Sequence, residues 1–279
     1  MLSEVRRLAQ AADCPTVIVT FDPHPITVLR PEIRLPRLSS ISTRTALLKD
    51  AGADAVVVLP VGTGLLHMQP REFFDEVIVH ELEAAGIVEG EDFHFGKDRA
   101  GNCEVLAEYC SGAGIPLHVF PPVRADERLI SSTRIRAAIE SGQIDQAVNL
   151  LGHEYTITGV VGRGAGRGAS IGIPTANLDN VPELLPPPGV YCGSCELEGQ
   201  RWPTAVNIGG NPTFAEQQHK VECHVIGFDG NLYGSELTLA LCRRLRDVIS
   251  FESADALVRQ IRDDIASCRD CFTRDQVRR

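Results

Sequence analysis

Hydrophobic positions along the chain change their period once. In the first half, Leu2, Val5, Leu8, Ala9 and Ala12 recur at helical spacing. Thr16 to Phe21 (TVIVTF) is a β-branched run that reads as a buried strand. Thr43 to Ala51 reads as a helix ended by Gly52, and Ala55 to Leu59 as a second buried strand. Pro70 opens a helix to about Ala85, Ile87-Val88 begins a short strand, and Ile115 to Phe120 gives another. Ser131 and Ser132 open a helix through Ile139, and Asp145 to Leu151 forms one more. Strands alternating with helices predict a parallel sheet with helices on both faces.

After Gly152 helical periodicity is lost until about Ser253. Short strands are predicted at Tyr155 to Val161, Gly189 to Leu197, Thr204 to Ile208, Lys220 to Phe228 and Leu237 to Leu245. Gly and Pro clusters separate them, and Asp229-Gly230-Asn231 reads as a hairpin turn. The pattern predicts a small antiparallel barrel. A last helix follows Ser253 as its N-cap, with Leu257, Ile261 and Ile265 on one face. The expected domains are therefore 1–152, α/β, and 153–279, β-barrel with a terminal helix.

Composition agrees. The length of 279 residues suits two domains of roughly 150 residues each. Apolar residues make up 43% and charged residues 23%, which argues against disorder and coiled coil. With 27 basic and 37 acidic residues the formal charge is −10, which disfavours nucleic acid as a partner. No apolar run approaches the 18 or so residues of a membrane helix, and no signal peptide is evident. A cytoplasmic location is expected, with the nine cysteines reduced.

The strongest chemical signal is GVVGRGAGRGASIGIPTAN, residues 159–177. Gly162, Gly164, Gly166 and Gly168 alternate with Arg163 and Arg167, a composition able to surround phosphates with backbone N–H groups and positive charge. It is neither a Walker A motif nor a dinucleotide fingerprint. Taken alone, the glycines fit a flexible turn equally well. Thr175 and Asn177 are two apart, so on a strand they share a face and could hold Mg²⁺ with ATP. Glu222, in VECHV, could accept a proton from a hydroxyl nucleophile, and His224 shares its face.

In the first half, TFDPHP ends the first strand with Asp22 and His24, where open α/β sheets bind ligands. SSTRIR places Ser132 at a helix start and Arg136 one turn in, which suits either a phosphate site or a cap with surface charge. Cys192/Cys195 and Cys268/Cys271 have zinc-like spacing but lie in a strand and a helix, so packing is the expected role. His67, His80, His118 and His153 have no assignable partners in the sequence.

In this order the segments resemble the prokaryotic bifunctional riboflavin kinase/FMN adenylyltransferase (FAD synthetase) family over nearly the whole chain. They are VTFDPHP (19–25), EGEDFHFGKDRAGN (89–102), ISSTRIRAAIESGQIDQAVNLLG (130–152), IGIPTANL (171–178), PPGVYCG (187–193), AVNIGGNPTF (205–214), VECHVIGFDGNLYG (221–234) and the tail from LRDVISFES. The resemblance implies a nucleotidyltransferase-like (Rossmann-like) parallel α/β domain followed by a riboflavin-kinase barrel. It implies that the barrel phosphorylates riboflavin with ATP to give FMN. Thr175 and Asn177 match Mg-ATP ligands, Glu222 the catalytic base, the loop 162–168 a phosphate cover, and Asn207, Gly209, Pro212 and Thr213 a flavin border.

The first domain of the family adenylylates FMN to FAD. Its Gly-x-Phe-Asp-Gly-Val-His-x-Gly-His segment, expected just before the first helix, does not occur in this sequence. Asp22, His24, Asp92, Ser132 and Arg136 would form a partial site, so FAD formation is expected to be impaired in the chain as it stands. A start placed too late, which would leave the full protein bifunctional, is favoured over a genuine truncation or a cloning boundary, and an apolar sheet edge should be exposed. Two other classes are weaker. A nucleic-acid module needs stacking aromatics, and these are 5% of residues with one Trp. A non-catalytic flavin-binding protein has no need of Thr175, Asn177 and Glu222 together. The sequence gives no expectation for oligomeric state.

Overall fold

The computed structural model describes residues 1–164, 166, 168, 171–209 and 220–277 of the chain. It divides into two compact units, Met1–Leu35 with Ile41–Leu129, and Pro36–Ser40 with Ile130–Arg279. Among the described residues no helix is long and apolar enough to cross a membrane.

The first unit begins with α1 (Leu2–Ala11), β1 (Val17–Asp22), α2 (Pro25–Leu29), α3 (Ile41–Asp50), β2 (Ala55–Pro60) and α4 (Thr63–His67). Next, α5 (Pro70–Glu72) runs on as a π-helical stretch, Phe73–Glu81. The rest is β3 (Ile87–Gly90), short strands β4 (His94–Phe95) and β5 (Gly101–Asn102), α6 (Cys103–Ala113), β6 (Leu117–Phe120), and the short hairpin β7 (Arg124–Ala125) and β8 (Arg128–Leu129).

The expected parallel strands are present as two ladders. β1 pairs with β2, Val17 opposite Ala55, and β3 with β6, Ile87 opposite Leu117. Among the described residues each of these four strands therefore pairs along one edge only, and Val17, Val19, Val58 and Val119 stay exposed. In the core, Phe73, Phe74, Val77 and Ile78 pack with Phe95, Leu106 and Cys110, and Leu59 of β2, Ile87 of β3 and Leu117 of β6 pack against them.

Two helix readings need correction. The helix from Pro70 ends at Glu81, not Ala85, because Glu83 takes a left-handed φ of 46°. The sequence reading contained no helix at Cys103–Ala113, although its cues are local. The Asn102 side chain accepts from Val105 N–H at 3.0 Å, and Gly114 closes the helix with φ 72°.

The second unit contains α7 (Ser132–Glu140), α8 (Ile144–Leu151), β9 (Tyr155–Gly162), β10 (Ala176–Asp179), β11 (Gly189–Leu197), β12 (Gln200–Gly209), β13 (Lys220–Val225), β14 (Glu236–Arg246) and α9 (Ala254–Val277). The strands close a barrel in the order β10-β13-β12-β11-β14-β9, with all neighbouring strands antiparallel. Alternate positions such as Val221 and Cys223, or Leu237, Leu239 and Leu241, are buried, as a filled barrel requires. Glu198 and Gly199, both at positive φ, turn β11 tightly into β12. Ser253 accepts from Ala256 N–H at 3.2 Å and caps α9, as its sequence suggested.

The change of pattern at 152 marks the start of the barrel strands, whereas α7 and α8 group with the barrel unit. So does a short strap, Pro36–Ser40. Leu184 N–H donates to Arg37 O at 2.8 Å, Arg136 Nε to Pro36 O at 2.9 Å, and Ser40 N–H to the buried Glu183 carboxylate at 3.1 Å. Glu183 also accepts from Thr158 N–H of β9 at 3.1 Å.

Asp229-Gly230-Asn231 does not close a hairpin, contrary to the sequence reading. β13 pairs with β10 and β12, whereas β14 pairs with β11 and β9, so 226–235 crosses between non-neighbouring strands. The turn chemistry is real but local, since the Asn231 side chain accepts from Tyr233 N–H at 3.1 Å.

Candidate functional site

Barrel register assembles the kinase-side residues. Asn177 of β10 lies directly opposite Glu222 of β13, and Glu222 directly opposite Asn207 of β12. Gly162, closing β9, stands on the other side of Asn177. The flanking Val221, Cys223, Val206 and Ile208 are buried, so by strand alternation the row Asn177–Glu222–Asn207 lies on the opposite face. Directly opposed positions bring Cβ atoms to about 5 Å. An amide, a carboxylate and a second amide are thus adjacent, although 45 and 15 residues separate them in sequence.

The glycine loop approaches this row at Asn177. A Cβ built on Gly164 would lie 2.1 Å from Asn177 Nδ2. One built on Gly168 would lie 2.3 Å from Ile173 O and 3.3 Å from Thr175 Oγ1. Gly168 is therefore required by close approach to backbone, whereas a side chain at Gly164 would displace the Asn177 amide. Ile173 N–H donates to Gly168 O at 2.9 Å and ties the loop to the segment entering β10. Gly166 adopts φ 70°, and Arg163 is exposed beside it. Thr175 thus approaches Gly168, although it precedes β10, which begins at Ala176, and Asn177 approaches Gly164. Asp179, two positions on, extends this line of polar groups and was missed in the sequence, where a lone Asp after the motif carried no signal.

On the flavin side, Asn207 belongs to the row, and Gly209 ends β12 with φ 125° against Pro188. Arg167, Pro212 and Thr213 lie outside the described residues. His224, two residues beyond Glu222, has Nδ1 2.7 Å from Pro174 O.

The residues singled out in the first half do not all fall in one unit. Asp22 ends β1, and the next residue but one, His24, caps α2 by accepting from Ile26 N–H at 3.2 Å. Asp92 follows the carboxyl end of β3, with Phe93 N–H on Gly90 O at 3.0 Å. These three lie in the first unit, whereas Ser132 and Arg136 belong with the barrel unit. Ser132 begins α7 behind the Ser131 cap, and the half-buried Arg136 holds the strap.

Glu89 of β3 was not singled out in the sequence. Burial, together with the nearby Asp92 charge, pushes its carboxyl up to about 7, against the pull of a hydrogen bond from Gly90 N–H. The folded state thus keeps a proton that the unfolded chain, at the ordinary value of 4.5, has released. The stability this proton brings is complete below 4.5 and is lost as pH rises through about 7. We expect Glu89→Gln to flatten that slope, at most about 1.4 kcal/mol per pH unit, and to raise stability above pH 7. Urea midpoints of both proteins between pH 5 and 8 check it; parallel pH curves would refute it.

The cysteine pairs part ways. Cys192 and Cys195 face opposite sides of β11, and Cys192 packs with Cys268 and Cys271 of α9 and with Cys242 of β14. None of the nine cysteines forms a disulfide, and burial pushes the Cys195 thiol up to about 12. Among the described residues no group of three or more His, Cys, Asp or Glu side chains is arranged to hold a metal ion.

A family model described as riboflavin kinase matches residues 151–272, and one described as FAD synthetase matches residues 1–134. The bifunctional riboflavin kinase/FMN adenylyltransferase of Pseudomonas fluorescens is 33% identical, covering 96% of this chain and 86% of its own. That of Listeria monocytogenes is 30% identical, covering 98% and 88%. A crystal structure from Streptococcus pneumoniae, described as a macrolide-efflux protein, aligns with TM-score 0.85 and 30% identity over 96% of this chain and 88% of that one. Fold and matches together define a two-domain transferase class, a nucleotidyltransferase-like unit joined to a riboflavin-kinase barrel. The chain belongs to the bifunctional riboflavin kinase/FMN adenylyltransferase family.

Proposed function

We propose that the barrel transfers the γ-phosphate of ATP to the ribityl 5′-hydroxyl of riboflavin, giving FMN and ADP. The observation that carries this reading is the row Asn177–Glu222–Asn207 with the glycine loop packed on Thr175 and Asn177. Glu222 takes the hydroxyl proton as the oxygen attacks the γ-phosphorus, and the proton then passes to solvent. Backbone N–H groups of the loop, with Arg163 and Arg167, receive the phosphates. Asn207, Gly209, Pro212 and Thr213 border the flavin.

The donor set fits Mg²⁺. The Thr175 hydroxyl and Asn177 amide oxygen are hard, neutral ligands, and a cation that prefers water and phosphate oxygens needs only a few from the protein. When bound, Mg²⁺ neutralises phosphate charge. In the first unit, Asp22 ends β1, and His24 and Asp92 follow the carboxyl ends of β1 and β3, where transfer of AMP from ATP to FMN, giving FAD and pyrophosphate, would be sited.

The test is chromatographic separation of flavins after incubating the chain with riboflavin, ATP and MgCl₂. FMN should form, and chelation of the metal should stop it. No FMN from folded protein overturns the kinase reading. FMN without FAD assigns the activity to the barrel, and FAD as final product shows the first unit working as well.

A further inference from the structure

We infer that His224 is a positioning residue for the phosphate side of the site, a role that rests on the kinase reading above. Its Nδ1 lies 2.7 Å from Pro174 O, a contact spanning 50 residues of sequence. A carbonyl only accepts, so Nδ1 carries the hydrogen and donates it. The ladder of β10 starts at Ala176, so the Pro174 carbonyl lies ahead of the strand and His224 supplies its bond from β13.

The peptide plane makes this bond consequential. Pro174 C=O and Thr175 N–H share one rigid amide, so holding the oxygen fixes how Thr175 leaves that plane. On the preceding residue, Ile173 N–H is held by Gly168 O at 2.9 Å. The turn into β10 is thus pinned on one side by the glycine loop and on the other by His224. The Thr175 hydroxyl is left under Gly168, 3.3 Å from where its Cβ would be. His224 stands two residues from Glu222 on the same strand face. One short stretch of β13 therefore carries the proton acceptor and also sets the hydroxyl on the phosphate side.

His224→Ala should lower kcat/KM for MgATP by about 10- to 100-fold, the effect of a small misplacement. Riboflavin binding without nucleotide, read by flavin fluorescence, should stay within about twofold. His224→Asn, whose amide N–H branches from the same Cγ as Nδ1, should recover to within about threefold of the parent. His224→Gln, which sets its amide one bond further out, should not. Unchanged kcat/KM for MgATP in the Ala variant overturns the inference, as does an Asn variant no better than Gln. If the Ala variant fails to fold, the Asn and Gln pair decides. Calorimetric binding of MgADP to each variant separates the two readings. If the parent makes no FMN yet the Ala and Gln variants alone lose MgADP affinity, the kinase assignment fails and the positioning role stands.

Discussion

Glu222→Gln should leave the barrel folded and lower the rate of FMN formation by about 10²- to 10⁴-fold. The substitution keeps size and one acceptor oxygen, so its packing beside Asn177 and Asn207 is little disturbed. It removes the one property the mechanism needs, a carboxylate able to take the hydroxyl proton. Glu222 is the central member of the row, with an amide on either side, so no neighbour in the row can replace it as a base. Rates at saturating riboflavin and MgATP, beside thermal unfolding, check the prediction. A loss below tenfold would remove Glu222 from the role of base. A large loss with an unchanged melting temperature would assign the effect to chemistry.

Gly164→Ala should lower kcat/KM for MgATP by about 100-fold, through geometry alone. The added methyl would arrive 2.1 Å from Asn177 Nδ2 and 2.8 Å from its Cγ. Either the loop lifts or Asn177 turns away, and both separate the phosphate cover from the strand beneath it. Gly112→Ala is the matched control. It adds the same methyl within α6, where nothing lies within 4 Å, and should be neutral or stabilising by up to about 1 kcal/mol. Steady-state kinetics of both variants test the pair. A Gly164→Ala enzyme with parental kcat/KM would mean that the loop does not work in its close-packed form.

The barrel was legible because its signals are local and repeated. β-Branched runs separated by Gly and Pro marked five of six strands, and Ser253 announced the last helix. The sixth, Ala176–Asp179, is only four residues long and had no hydrophobic run of its own to mark it. What sequence could not supply was register. Nothing within VECHV says that Glu222 stands between Asn177 and Asn207, because pairing depends on three strands far apart in the chain. Asp229-Gly230-Asn231 failed for the same reason: turn propensity reports local chain reversal but not which strands meet. The meeting of Cys192 with Cys268 and Cys271 was equally hidden, since it depends on how α9 lies on the barrel wall. Glu89 was missed because its perturbation comes from burial, which no single residue type reveals.

The strap at Pro36–Ser40 has a consequence for how this protein can be divided. The barrel unit is discontinuous along the gene: five of its residues are encoded about ninety codons before the rest. A fragment beginning at the change of pattern near 152 would lose the strap together with α7 and α8. The buried Glu183 carboxylate would keep Thr158 N–H but lose its bond from Ser40, and Leu184 N–H would lose the Arg37 carbonyl. Order along the chain and membership of a unit thus differ, for part of the barrel unit is written before the first unit has been completed.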